Sequence, residues 1–303
     1  MSDPVEFDRR VRAAAMAWLD ARRTPDEPVI RRDELMNFMF EGARIGLVDQ
    51  SRGIRKPRNL VAALSILTTF TPSQQKPPYE DRPGKDGLLR YKYRGKDPNQ
   101  SDNVALRSAY ELQVPLIWFY GVATGLYIPF YPVWLIADEP EMLQVVVAVD
   151  EAQRGLLSAG LESVVQRRYV ERMTKHRVHQ PVFRQRVIQA YEVSCAMCRL
   201  RHSGLLDAAH ILPDRHPDGV PSVSNGLALC KIHHAAYDQN LIGVTPDFVV
   251  QVRSGILQEE DGPMLRHGIQ DMHGTRLHIP RRRSDQPDRE ALEVRYAAFA
   301  QVA

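Results

Sequence analysis

Between Cys195 and Asp238 the chain carries two sets of residues whose types and spacing suit chemistry. The first is Cys195 and Cys198, two residues between them, followed by Cys230 and His233 at the same spacing. Three thiolates and an imidazole are the donor set of a closed tetrahedral zinc site. Cys195 and Cys198 alone would also suit buried thiols or a redox pair, but the second knuckle answers them, and it takes up the last cysteine of the chain. The second set is His210, Asn225, His234 and Asp238. On a helix His234 and Asp238, four apart, share one face, while His233 is turned about 100° away, toward the cysteines. One helix is therefore expected to serve two metals on two faces.

The elements that must hold these residues read as follows. Residues 205–212 are apolar enough for a short strand closed by Pro213; a loop rich in Pro, Asp, Gly and Ser fills 213–224, and a helix is expected from Leu227 to Asp238. This order of elements and residues resembles the HNH endonucleases, the ββα-metal nucleases, over roughly residues 185–255. The resemblance implies that His210 is the general base that deprotonates water and that Asn225 orients it through a hydrogen bond. It also implies that His234 binds a catalytic divalent ion, Mg²⁺ or another, with Asp238 as a further ligand. Many branches of the family carry a metal ligand just before the base, where this chain has Ala209. Strand alternation puts Asp207 on the same face as Ala209, one pleat away, so its carboxylate is the candidate replacement.

Phosphodiester hydrolysis explains why such residue types belong together. It needs a nucleophilic water, help for developing charge on phosphorus-bound oxygens, and a leaving 3′ oxygen. A neutral imidazole with a pKa of roughly 6.5 can take the proton, and a hard cation held by carboxylate and imidazole covers the charge.

Across the whole chain, 303 residues suggest two domains, divided here as 1–152 and 153–303. A hydrophobic content of 44% with 25% charged residues is ordinary for a globular protein, and a net charge of +3 does not by itself argue for nucleic acid. Charge is local instead: residues 151–190 hold eight Arg and Lys against three acids. No apolar stretch is long enough to span a membrane, no signal peptide is apparent, and cysteines committed to a metal fit a reducing cytoplasm. The Pro-, Lys- and Asp-rich piece from Thr71 to Gly87 is expected to be a mobile loop.

The N-terminal part reads as mixed α+β with a sheet or small barrel. Helices are expected over Glu6–Arg23, with its arginines on the polar face, and over Arg32–Leu47. Strands are expected at Val114–Tyr120, Gly125–Ile136 and Met142–Val149. Gly87–Gly95 alternates, with Leu89, Tyr91 and Tyr93 on one face and Arg90, Lys92 and Arg94 on the other. This basic strand, with Arg55 and Lys56 upstream, could track DNA phosphates, or it could be a charged sheet edge that blocks aggregation. Residues 161–190 read as a basic helix, 247–253 as a further strand and Glu290–Phe299 as a closing helix. Arg281–Arg283 could touch DNA or simply be solvated.

An unfamiliar module ahead of an HNH domain is similar in layout to the modification-dependent restriction endonucleases. That likeness implies double-stranded DNA as partner, modified bases included, and two chains acting together, as a homodimer or on the DNA, to break both strands. A zinc-stabilised DNA-binding protein with a degenerate nuclease site, and a nonspecific or nicking nuclease, are the alternatives left open.

Overall fold

The computed structural model describes residues 3–24, 26–72, 86–158 and 164–302. The expected mobile loop, Thr71 to Gly87, falls largely outside them. The chain divides into two compact units, Met1–His179 and Gln180–Ala303. Residues 153–179, assigned above to the second domain, thus cluster with the first.

In the first unit α1 (Pro4–Asp20) starts where the Asp3 side chain accepts the amide of Val5 at 3.1 Å and proline occupies the first turn, where its missing N–H costs nothing. Val11, Ala15 and Leu19 form its buried stripe, in one cluster with Leu35, Phe38, Leu64, Ile117 and Phe119. One arginine of this helix is not on the polar face: Arg12 is buried, paired with Asp8, and donates to the carbonyls of Ala63 (2.9 Å) and Pro115 (2.7 Å). A charge is tolerated there because every donor direction meets an acceptor.

Next come β1 (Ile30–Arg31), α2 (Arg32–Met36) and a hairpin of β2 (Met39–Phe40) and β3 (Ala43–Arg44). The helix expected as far as Leu47 stops at Met36. Glu41 and Gly42 both have positive φ, 48° and 76°, the pair of left-handed residues that a two-residue hairpin turn requires.

The sheet is built from β4 (Ile54–Arg55), β5 (Ser65–Thr68), β6 (Leu89–Lys92), β7 (Leu116–Ala123), β8 (Leu126–Glu139) and β9 (Gln144–Ala148), with α3 (Ser101–Glu111) between β6 and β7. Its order is β4-β5-β7-β8-β9-β6, with β1 also paired to β8 and only β5–β7 parallel. The long β8 pairs β7 with its first half and β9 with its second, which curls the sheet. The hydroxyl of Tyr91 on β6 consequently lies 2.9 Å from the carbonyl of Gly53, beside β4, and 3.2 Å from that of Leu67 on β5. Most of the aromatic cluster is core: Trp118, Phe119, Tyr127 and Trp134 are buried, while Tyr120, Phe130 and Tyr131 are partly so. Helices α4 (Glu151–Ser158) and α5 (Val164–Thr174) and a π turn (Lys175–His179) complete the unit.

The second unit begins with α6 (Gln180–Ala190), then β10 (Leu206–His210), β11 (Gly226–Cys230) and α7 (Lys231–Asp238). Residues 227–230 are not the first turn of a helix. They pair antiparallel with β10, from Leu206↔Cys230 to His210↔Gly226, and β11 is buried along its length. A fully buried apolar run has no period by which a strand differs from a helix, and the partner strand decides. After α7 follow β12 (Ile242–Val244), β13 (Val250–Val252), two short helices α8 (Ser254–Leu257) and α9 (Pro263–Gly268), and α10 (Arg289–Ala300). Asp288 caps α10 by accepting the amide of Ala291 at 3.0 Å. Arg295 on α10 donates to the side chain of Asn240 and to the carbonyl of Tyr237, which ties down the C-terminal end of α7. Among the described residues no helix is long and apolar enough to cross a membrane.

Candidate functional site

The hairpin β10–β11 delivers Cys230 to the first position before α7, and α7 delivers His233 one turn later. The tight turn after α6 brings Cys195 and Cys198. The ligand atoms of Cys195, Cys198, Cys230 and His233 all lie within 4.8 Å of one another, a group that could hold a metal ion. His233 Nδ1 stands 3.4 Å from the Cys195 sulphur and 3.2 Å from that of Cys230. Its other nitrogen, Nε2, is 2.7 Å from the carbonyl of Gly268 at the end of α9. A proton held on Nε2 by that carbonyl leaves Nδ1 as the lone pair facing the sulphurs, the usual second-sphere arrangement of a metal-bound histidine. Burial disfavours the imidazolium, but hydrogen bonds with Cys195 and Cys230 outweigh it and raise the His233 pKa to about 10. Hydrogen bonds from Cys198 and Cys230 acidify Cys195, while Cys198, as donor, is pushed up. Three soft donors and one imidazole crowded at a point fit zinc, which would replace these shared protons.

On the adjacent face of α7, His234 has a carboxylate at each nitrogen. Asp207 Oδ2 is 3.4 Å from Nδ1 and Asp238 Oδ2 is 3.4 Å from Nε2. The hydrogen bond to Asp207 raises the pKa of His234 against the opposing effect of burial, and the Asp238 charge adds to the rise. Burial likewise pushes Asp207 up, but the bond from His234, the Ala208 amide and the charge of Arg184 hold it below the usual range. Arg184 on α6, not singled out in the sequence, sits 3.2 Å from Asp207 Oδ1. Asp207 is thus beside His234, whereas Asp207 and Asp238 stand at opposite edges of the ring. Among the described residues, the three do not converge on one point as the Cys and His cluster does.

His210 ends β10 with its Nε2 3.5 Å from Asp214 Oδ1, a carboxylate in the Pro-rich loop whose only sequence signal is its position four residues on. Its imidazole is stacked on Phe183 of α6. Asn225 is buried. Its side-chain oxygen accepts the Leu212 amide at 2.9 Å, and its nitrogen donates to the carbonyls of Leu212 and Val220, both at 3.0 Å. These bonds fasten the two ends of the loop that follows His210; they do not run to the imidazole. Any orientation of His210 by Asn225 therefore passes through the backbone of the loop.

In the first unit the candidate DNA-contacting residues are largely engaged within the protein. Arg90, 14% exposed, pairs with Asp86 and with Glu139 at 3.2 Å. Arg94 lies 2.7 Å from Asp102, Lys92 reaches Gln144 Oε1 at 2.5 Å, and Arg55 donates to the carbonyl of Ile45 at 2.6 Å. Lys56 is exposed. In the second unit Arg281 is exposed and 2.9 Å from Glu192.

Comparison with known protein families finds a match inside this second unit. Residues 195–245 match the HNH endonuclease family, a segment that holds the four-ligand cluster, His210, Asn225, His234 and Asp238. No curated protein matches the chain. Among the solved structures that are similar, a modification-dependent TagI restriction endonuclease, 16% identical, covers 78% of this chain and 81% of its own with a TM-score of 0.28. The Type IV phosphorothioation-dependent restriction endonuclease ScoMcrA, 14% identical, covers 62% of this chain and 48% of its own with a TM-score of 0.25.

Proposed function

We propose that this chain, which carries an HNH endonuclease domain at residues 195–245, is a metal-dependent DNA endonuclease of cytoplasmic host defence. In this reading the second unit cuts and the first recognises double-stranded DNA, modified bases included. The observation that carries the reading is the coincidence, inside the matched segment, of a half-buried histidine at the end of β10 with a second histidine flanked by carboxylates on α7.

His210 in its neutral form takes a proton from water, and the oxygen so freed attacks phosphorus. The P–O3′ bond breaks and the 3′ oxygen leaves as an alcohol, taking its proton from a second water molecule. Asp214 faces Nε2 of His210 and favours the imidazolium that proton transfer creates. Asn225 holds the loop that bears Asp214. His234 and Asp207, with Asp238 as the outer carboxylate, are the residues that would hold a hard cation such as Mg²⁺; their donor types suit one. Such a cation supplies charge stabilisation to the phosphoryl oxygens. Cys195, Cys198, Cys230 and His233 would hold a structural zinc. A single general base breaks one strand, so double-strand cleavage calls for two chains, as a homodimer or paired on DNA.

The competing reading, a zinc-stabilised DNA-binding protein with a degenerate site, is favoured by Ala209 in place of a ligand and by carboxylates that do not converge. Incubation of the purified chain with modified and unmodified phage DNA and Mg²⁺, Mn²⁺ or Ni²⁺ separates the two. Cleavage by the wild type that falls about 10²- to 10⁴-fold in His210→Ala, with DNA affinity and zinc content retained, is the expected result. Wild-type-like cutting by His210→Ala would sink the mechanism, and an inactive wild type on every DNA would leave the binding protein.

A further inference from the structure

Helix α6 lies outside the matched segment, yet it grips β10 at both ends. At the start of the strand, Arg184 donates from Nη2 to the carbonyl of Leu206 at 2.7 Å while its Nε stands 3.2 Å from Asp207. At the far end, the Phe183 ring stacks on the His210 imidazole, centroids 4.1 Å apart and planes inclined by 18°. The two contacts come from consecutive residues.

The room for that ring is provided across the hairpin. The cross-strand partner of His210 is Gly226, whose φ of −133° any residue could adopt. Backbone conformation is therefore not why glycine is there. A Cβ at Gly226 would stand 2.5 Å from Val187 Cγ2 and 3.0 Å from Phe183 Cζ, closer than packed side chains tolerate. The space beside His210 that a cross-strand side chain would fill is filled by the end of the Phe183 ring.

We infer that α6 is the positioning element of the site, with Phe183 setting the plane of the His210 ring in the slot left by Gly226 and Arg184 setting Asp207. This rests on His210 as the general base and Asp207 as a cation ligand. A base on the last residue of a two-stranded hairpin has little sheet around it to restrain its ring torsion. Face-to-face packing removes that freedom without covering the ring's edge, where Nε2 faces Asp214. Phe183 and Arg184 touch no substrate; they act through His210 and Asp207.

The test compares Phe183→Leu and Gly226→Ala in the full chain. Phe183→Leu should lower kcat by about tenfold to a hundredfold, the cost of misplacing a reacting group by about an ångström, with KM for DNA and bound zinc unchanged. Ring protons of His210 should resonate upfield in the wild type through shielding by Phe183, and move downfield in Phe183→Leu and in Gly226→Ala; this readout needs no activity. Arg184→Gln should raise the divalent-ion concentration needed for half-maximal cleavage, and Arg184→Lys less so. A Phe183→Leu enzyme with wild-type kcat, beside an inactive His210→Ala, overturns the positioning role alone. A wild type that cuts no DNA overturns the assignment of His210, and the role of α6 falls with it.

Discussion

His233 and His234 are neighbours in the chain and lie in opposite kinds of surroundings. His233 is buried among sulphurs, one nitrogen tied to the carbonyl of Gly268, every direction around it fixed by protein. His234 is 23% exposed and faces two carboxylates of unequal burial, with Asp207 41% and Asp238 62% exposed. On the proposed reading, the difference teaches how one short helix can join a closed site to an open one. A closed tetrahedral shell contributes to folding because the protein supplies every ligand, whereas a site that must admit a phosphate has to leave positions unfilled.

The comparison is broken most severely from the closed side. Cys198→Ser or His233→Ala should give metal-free, insoluble protein, since structural zinc contributes apparent binding energies of about 10–16 kcal/mol in small zinc domains. Metal analysis of well-folded wild type should find one tightly bound zinc per chain; none would remove the distinction between the two faces.

His234→Ala, one residue on, should leave zinc content and thermal unfolding unchanged while weakening the apparent affinity for the catalytic ion by at least about 10- to 100-fold. A titration of cleavage against Mg²⁺ or Mn²⁺ reads this directly. Loss of zinc from His234→Ala would mean that the two faces are one site.

A finer contrast lies between the two carboxylates. Asp207→Asn should raise the required ion concentration more than Asp238→Asn, because Asp207 is the more buried and is held in place by Arg184. Equal effects would point to a cation centred on α7 with no part for the residue one pleat before Ala209.

The smallest expected effects concern the first unit. Arg90→Ala should cost about 1–2 kcal/mol of stability by stranding Asp86 and Glu139, and leave the salt dependence of DNA binding unaltered. Burial opposes ionisation of Asp86, but its hydrogen bond from Arg90 outweighs this and holds the carboxyl below its usual range. Its contribution is therefore present above the unfolded-state pKa of about 4 and is lost as pH falls through the lower folded value. Acid unfolding followed below about pH 4 should show a shallower loss in Asp86→Asn than in the wild type. A drop in DNA affinity and salt slope on Arg90→Ala would restore the basic strand as a phosphate track.

Several site features are local in sequence and were legible there. Two knuckles of fixed spacing mark the Cys and His cluster, and the 100° step of a helix separates His233 from His234 before any packing is known. The alternation of Gly87–Gly95 likewise put Leu89, Tyr91 and Tyr93 inside. What was not legible depends on partners distant in the chain. Arg90 meets Glu139, 49 residues away, so its charge turned inward although its strand position faced outward. Arg12 is buried because carbonyls from 51 and 103 residues further along converge on it.

The sequence by itself determined which side chains bring donor atoms and titratable groups close together along the chain, because side-chain chemistry and short-range spacing are properties of the chain. Only the tertiary structure decided that residues 226–230 form a strand, since an apolar run takes its conformation from the neighbour that satisfies its backbone hydrogen bonds. It also decided that Asn225 fastens a loop, that Asp214 faces His210, and that α6 stacks a ring on the imidazole. Those contacts exist because packing fills the space left by a glycine and brings together groups that no period in the sequence relates.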